Sequence, residues 1–161
     1  RTPQNIVIGG AAGALPPVIG WTIATGQISI EPIILFLIIF FWTPSHFWAL
    51  SLYKAGDYKR AKIPMLPIIA GTQRTKLNIF VYSLLMTPVV IAPYFFDLGG
   101  TIYLTVSLVM TSYYVLLCYN LLKENKSKDA NVIARKIFAY SIFYLFVIFF
   151  LLLIESLIKL I

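Results

Sequence analysis

Apolar residues gather into five long runs, at about 6–24, 30–53, 77–96, 101–122 and 137–161, with polar residues confined to the breaks between them. Runs of about 20 apolar residues suit helices crossing a hydrocarbon layer about 30 Å thick. The connections "TGQIS" and "DLGG" are short and turn-like, whereas about 23 residues follow the second run and about 14 the fourth. No internal repeat or low-complexity stretch appears. The pattern predicts an all-α polytopic transmembrane helical bundle.

The runs carry more than anchoring residues. In "IVIGGAAGALPPVIGW", Gly9 and Gly13 are four apart among Ala11, Ala12 and Ala14, a small-residue pattern that lets helix backbones approach closely in lipid. Pro16-Pro17 must bend or break that helix, and Pro44, Pro88 and Pro93 threaten two more. Broken helices at membrane depth are tolerated where protein or a cavity satisfies the freed carbonyls. The expectation is a bundle with an interior site, with ordinary close packing as the alternative. The last run is apolar nearly all round and predicts a lipid-facing helix. Its Glu155 and Lys159, four apart, predict a side-chain pair or snorkelling.

Sixty per cent hydrophobic and 12% charged residues exclude an ordinary soluble domain. The one cysteine, Cys118, permits no disulfide within the chain and reads as a small buried hydrophobe. The chain starts at Arg1 without a signal-peptide pattern, and reads as a piece of a longer protein. With five crossings, twelve of the thirteen Lys and Arg residues fall on one side, and only Lys159 opposite. That side is expected to be cytoplasmic, in a bacterial inner (plasma) membrane, or to be the matrix side of a mitochondrial inner membrane. Basic loops held at an anionic leaflet account for the net charge of +7 without nucleic acid.

The scarcest chemistry sits at one border, "HFWALSLYKAGDYKRAKIPMLP", His46 to Pro67. It holds the only histidine and one acid, Asp57, among Lys54, Lys59, Arg60 and Lys62. If the second helix ran on, Trp42, His46, Tyr53 and Asp57, separated by 4, 7 and 4, would share a face. Asp57 is either a solvated acid among lysines or a ligand for Mg²⁺, with Arg60 and the lysines clamping a polyanion such as a diphosphate. One carboxylate is too few for a metal site. His46 is a structural hydrogen bonder, a metal or haem-iron ligand, a carboxylate partner or a proton carrier. Pro64 and Pro67 predict a fixed, extended loop that re-enters or lids the bundle, and the alternative is interfacial anchoring by Ile63, Met65 and Leu66. Asn5 is a helix cap or a hydrogen bonder in a pocket.

"RTPQNIVIGGAAGALPPVIGW" followed by "WTPSHFWALSLYKAGDYKRAKIPMLP" closely resembles the protohaem IX farnesyltransferase (haem O synthase) branch of the UbiA-type intramembrane prenyltransferases. The hydrophobic runs continue in register to the end, so the resemblance covers residues 1–161. It implies the last five helices of a nine-helix bundle around a cavity open to the cytoplasm. The implied activity is transfer of farnesyl from farnesyl diphosphate to a vinyl group of haem B, giving haem O, with Mg²⁺ at the diphosphate. Asp57 would bind Mg²⁺-diphosphate, and Arg60 would contact diphosphate or orient Asp57. Lys54, Tyr58 and Lys62 would bind substrate, and His46 would face haem. Asn5 and Arg1 match the stretch that opens the family's fifth helix. The family's first acidic pattern, Asn-x-x-x-Asp-x-x-x-Asp, does not occur in this chain, so a missing N-terminal half is the implied partner. The family also commonly reads Pro-Pro-His-Phe where this chain has Pro44-Ser45-His46-Phe47. Ser45 is expected to be tolerated because one proline already breaks the helix. The rival readings are a non-catalytic membrane fragment or assembly partner, a prenyltransferase for another ring acceptor, and a transporter.

Overall fold

Each apolar run becomes helix, because a backbone in hydrocarbon must satisfy its own N–H and C=O groups. A computed structural model describes Thr2 and residues 4–159; Arg1, Pro3, Leu160 and Ile161 lie outside the described residues. The helices are α1 (Asn5–Gly13), α2 (Pro16–Thr25), α3 (Ile30–Tyr53), α4 (Ala55–Arg60), α5 (Leu66–Ile69), α6 (Thr72–Phe95), α7 (Thr101–Lys123) and α8 (Ser127–Lys159). Among the described residues there is no strand. With α1 and α2 counted as one crossing, five segments are long and apolar enough to span a membrane. The chain is an all-α, multi-pass membrane protein.

The four long helices form a ring. α3 packs against α6 and α8, α7 closes the ring between them, and α1 and α2 lie on the outer side of α3. Ile38, Trp48, Ile79, Met86, Val90, Tyr114, Tyr144 and Ile148 are fully or almost fully buried at its centre. Hydroxyls cross the centre in pairs: Ser45 Oγ with Tyr114 Oη at 2.9 Å, and Thr111 Oγ1 with Tyr144 Oη at 2.8 Å. Cys118 is buried and free.

The prolines divide. Pro16 starts α2, and the first crossing breaks at Ala14–Leu15 as the sequence predicts. α3 and α6, by contrast, run through Pro44, Pro88 and Pro93. Neighbouring hydroxyls bond back onto the helix, Thr43 to Ile39 O at 2.7 Å and Thr87 to Ser83 O at 3.1 Å. Ser45 is therefore not placed at a break. It is buried and gains the Tyr114 bond, which a proline there could not make. Pro67 likewise enters the one-turn helix α5, at a first-turn position that needs no N–H donor. Met65 and Leu66 are buried, and α5 packs on α3 and α6.

Two expectations for the last run change. α8 begins ten residues before the apolar run, because hydropathy marks what lipid tolerates and not where a helix starts. Nor is it wholly lipid-facing: Ala130, Ala134, Ile137, Ser141, Tyr144, Ile148, Leu152 and Glu155 form a buried seam, with the three-and-four spacing of a helix packed on its neighbours.

Glu155 does not pair with Lys159. Its Oε1 accepts from Tyr103 N at 2.9 Å and its Oε2 from Gly100 N, so it caps the start of α7. Lys159 Nζ donates to Asp97 O at 2.6 Å. The small-residue stripe also acts otherwise than expected. A Cβ on Gly10 would lie 2.9 Å from Thr43 Cγ2, whereas Gly9 and Gly13 face open space. Close approach of α1 to α3 depends on Gly10.

Glu155→Ala is expected to cost about 1–3 kcal/mol, since one buried and one half-buried backbone donor lose their acceptor, while Lys159→Ala stays within about 0.5 kcal/mol. Thermal unfolding in detergent checks this; equal losses would restore a surface pair. By the same assay Gly10→Val is expected to cost about 1–3 kcal/mol through overpacking, with Gly9→Ala near neutral.

Candidate functional site

The border segment turns away from the bundle after Tyr53. Lys54, at φ −105° and ψ 14°, ends α3 and opens α4. Asp57 thus leaves the line of Trp42, His46 and Tyr53. It lies half-exposed on α4, 3.4 Å from Lys54 Nζ and hydrogen-bonded to Arg60. Tyr58 is half-buried, and its carbonyl accepts from Ile63 N at 3.0 Å. Lys62 takes a left-handed φ of 55° and is exposed, turning the chain into Ile63–Met65. Four of the predicted site residues, Lys54, Asp57, Tyr58 and Arg60, therefore share one short helix and its cap.

Asn5 joins two cavities. One, of about 260 Å³, is a polar mouth lined by Thr2, Asn5, Ala61, Lys62, Ile63 and Pro64. The other, of about 400 Å³, is an apolar cleft between α1 and α3, walled by Asn5, Gly9, Gly13, Trp42, Thr43 and Phe47 among others. Asn5 Oδ1 accepts from the neighbouring Ile6 N at 2.8 Å, and Nδ2 lies 3.7 Å from Met65 Sδ. Asn5 is the first residue of α1, whose cap position is Gln4, so it is not the helix cap the sequence offered; its side chain lines the two cavities instead. The open space above Gly9 and Gly13 is the cleft itself. Asp57 lines neither cavity; α4 carries it one turn before Ala61 and Lys62 in the mouth.

His46 faces α8. Its Nδ1 is 2.6 Å from Ser141 Oγ, and its ring is stacked between Trp42 at 4.3 Å and Phe138 at 4.5 Å. Trp42 Nε1 donates to Ser141 O at 2.9 Å. Tyr53 meets the same Phe138 edge-on at 6.3 Å, and the Arg135 guanidinium lies over the Tyr53 ring, 5.0 Å from its centre. Histidine, tryptophan and serine form one latch across the α3–α8 seam, and Trp42 extends from it to the cleft wall. Sequence reasoning missed Ser141 and Phe138. Ser141 is the only serine between 137 and 154, which is the signal that could have found it.

Mg²⁺ with diphosphate requires several hard oxygen ligands. Among the described residues no group of three or more His, Cys, Asp or Glu side chains is placed to hold a metal. Asp57, engaged by two cations, offers one carboxylate. The residues present do not by themselves make a magnesium site.

A double-mutant cycle on His46→Phe and Ser141→Ala is expected to give a coupling of about 0.6–1.7 kcal/mol, the range for hydrogen bonds between membrane helices. Unfolding in detergent measures it, and additive losses would separate the pair.

The chain is 63% identical to a protein of Pelagibacter ubique named protoheme IX farnesyltransferase, over 97% of this chain and 52% of that one. It is 48% identical to proteins of that name from Parvibaculum lavamentivorans, over 99% of this chain and 50% of the relative, and from Nitrobacter hamburgensis, over 99% and 51%. The chain spans about half the length of these curated relatives. No solved structure matches it significantly. The UbiA prenyltransferase family, an enzyme family, matches residues 1–147; by that match, over most of its length, the chain belongs to the UbiA prenyltransferase family.

Proposed function

We propose that this chain forms the C-terminal five helices of a nine-helix enzyme that transfers farnesyl from farnesyl diphosphate to a vinyl group of haem B, giving haem O. The observation that carries the reading is the position of Asn5, where a polar mouth beside a cationic helix meets an apolar cleft. An allylic diphosphate needs both environments within one molecule's length. The names of the relatives support the choice of farnesyl and haem.

In this reading Lys62 in the mouth, with Arg60, Lys54 and Tyr58 on and beside α4, takes the diphosphate. Charge-assisted hydrogen bonds stabilise the negative charge that builds as the C–O bond of the substrate breaks. Ile6, Ile39 and Phe47 keep water from the allylic cation, and Gly9 and Gly13 leave room for the prenyl chain. The vinyl group supplies the electron pair for the new C–C bond, and water then adds to the resulting carbocation and gives up a proton, which the released diphosphate can accept, to complete the hydroxyethyl group. His46 serves the haem side by fixing Trp42 through the Ser141 latch. Asp57 would be one ligand of Mg²⁺, the metal neutralising leaving-group charge when bound. The other acidic ligands would come from an N-terminal half that also completes the cavity. The basic end of the bundle faces the cytoplasm, in a bacterial inner membrane.

A second reading, a membrane fragment or assembly partner without activity, is favoured by the single carboxylate. The deciding assay is haem O formation in membranes given haem B, farnesyl diphosphate and Mg²⁺. This chain alone is expected to be silent, and active when co-expressed with the N-terminal half. Silence in both, with the chain inserted, would favour the inert fragment. In the complete enzyme Asp57→Asn is expected to lower turnover at least about 100-fold while insertion stays intact; near-normal turnover would reject the metal role.

A further inference from the structure

The basic end of the four-helix ring holds another cavity, of about 340 Å³, that shares no residue with the mouth or the cleft. It lies between the start of α6, the α7–α8 connection and the start of α8. Thr72, Gln73, Lys76, Asn125, Ser127 and Asn131 supply its polar lining.

Lys76 is the anomaly. It is only 4% exposed, and its Nζ donates to Glu124 O at 2.6 Å. The only ion pairs among the described residues are those of Asp57, so no carboxylate there neutralises this ammonium. Burying a cation without a counter-charge is costly, and a single carbonyl engages one of its three donors. Capping the end of α7 explains that one bond and leaves the charge unanswered.

The rest of the lining is uncharged and adds hydrogen-bond donors. α6 and α8 both begin at the cavity, with Thr72 and Ser127 in its wall. The first turn of a helix presents N–H groups that have no partner within it, at the positive end of its dipole. Asn125 and Asn131 add amide donors. Two acids flank the lining in sequence: Glu124 turns its Oε1 to Lys126 N at 2.8 Å, and Asp129, in the first turn of α8, does not line the cavity. A buried ammonium, two helix starts and two amides all call for one guest, a compact anion with several acceptor oxygens.

We propose that this cavity binds a phosphate group, carried by an anionic phospholipid or free in solution. It lies at the basic end of the bundle, which in a bilayer stands among headgroup phosphates. The inference is independent of prenyl transfer.

The test uses the 161-residue chain in neutral detergent, with thermal unfolding followed during titration. The probes are inorganic phosphate at matched chloride ionic strength, dihexanoylphosphatidic acid, and dihexanoylphosphatidylcholine as the zwitterionic control. A ligand that binds only the folded state raises the unfolding temperature saturably. The expected result is such a rise with phosphatidic acid, and with inorganic phosphate as well if the free anion suffices. Lys76→Arg should retain the rise. Lys76→Met should weaken half-saturation at least tenfold, as should Asn131→Leu, which fills the cavity without touching the Lys76–Glu124 bond. Asn131→Leu decides the matter if Lys76→Met fails to fold. No saturable rise with either anion, an equal rise with phosphatidylcholine, or an unchanged response in Asn131→Leu would overturn the proposal.

Discussion

A polar side chain inside a bilayer must find its partner within the protein, since no water is there to supply one. That constraint organises this bundle. Leucine and lipid tails are equally apolar, so burial alone gives the helices little reason to associate. The specific contacts are hydroxyls and ring nitrogens: Ser45 with Tyr114, Thr111 with Tyr144, His46 with Ser141, and Tyr103 Oη on Val90 O at 2.8 Å. Each joins two different helices. α3 takes part in two of them and is also the platform for α1, α2, α4 and α5. Its placement against α7 and α8 therefore sets the position of everything on its outer side.

The candidate site inherits this arrangement. One face of α3 buries Ser45 and His46 in the ring, while Thr43 and Phe47, offset by a fraction of a turn, wall the cleft against α1. Trp42 belongs to both faces. A change in the ring that rotates α3 would thus move the cleft wall, with the latch as the mechanical link. The mouth is built differently, from a short helix and a turn held by Met65 and Leu66 buried beneath them. The apolar wall is set by the core, and the charged rim is carried on the surface.

Much of this was legible in the sequence, for identifiable reasons. The 30–53 run matches α3 residue for residue because both of its ends coincide with a change in polarity. The four long helices are legible for the same reason, since each apolar run is bounded by polar connections. Rotational detail was not legible. Small residues at 9, 10 and 13 announce close packing somewhere on α1, but only coordinates show that Gly10 meets Thr43 and that the others leave space. Nothing local to His46 points to Ser141, 95 residues away. Pro44 misleads because α3 is held through it by packing against α6 and α8, which no local pattern announces. Glu155 misleads because its spacing to Lys159 suits a pair, while its carboxylate has better partners on α7.

The length of α8 has one more consequence. Thirty-three residues at 1.5 Å each make a rod of about 50 Å, against about 30 Å of hydrocarbon. The surplus lies at the basic end, where Lys128, Asp129, Arg135 and Lys136 could not be immersed. Bilayer thickness therefore sets the draught at which the molecule floats. In a thinner membrane more of this rod stands clear; in a thicker one Arg135 and Lys136 are drawn toward the acyl chains and the helix responds by straightening its tilt. The bundle is in effect a depth gauge, and the height of its polar end above the bilayer is a property of the host membrane as much as of the chain.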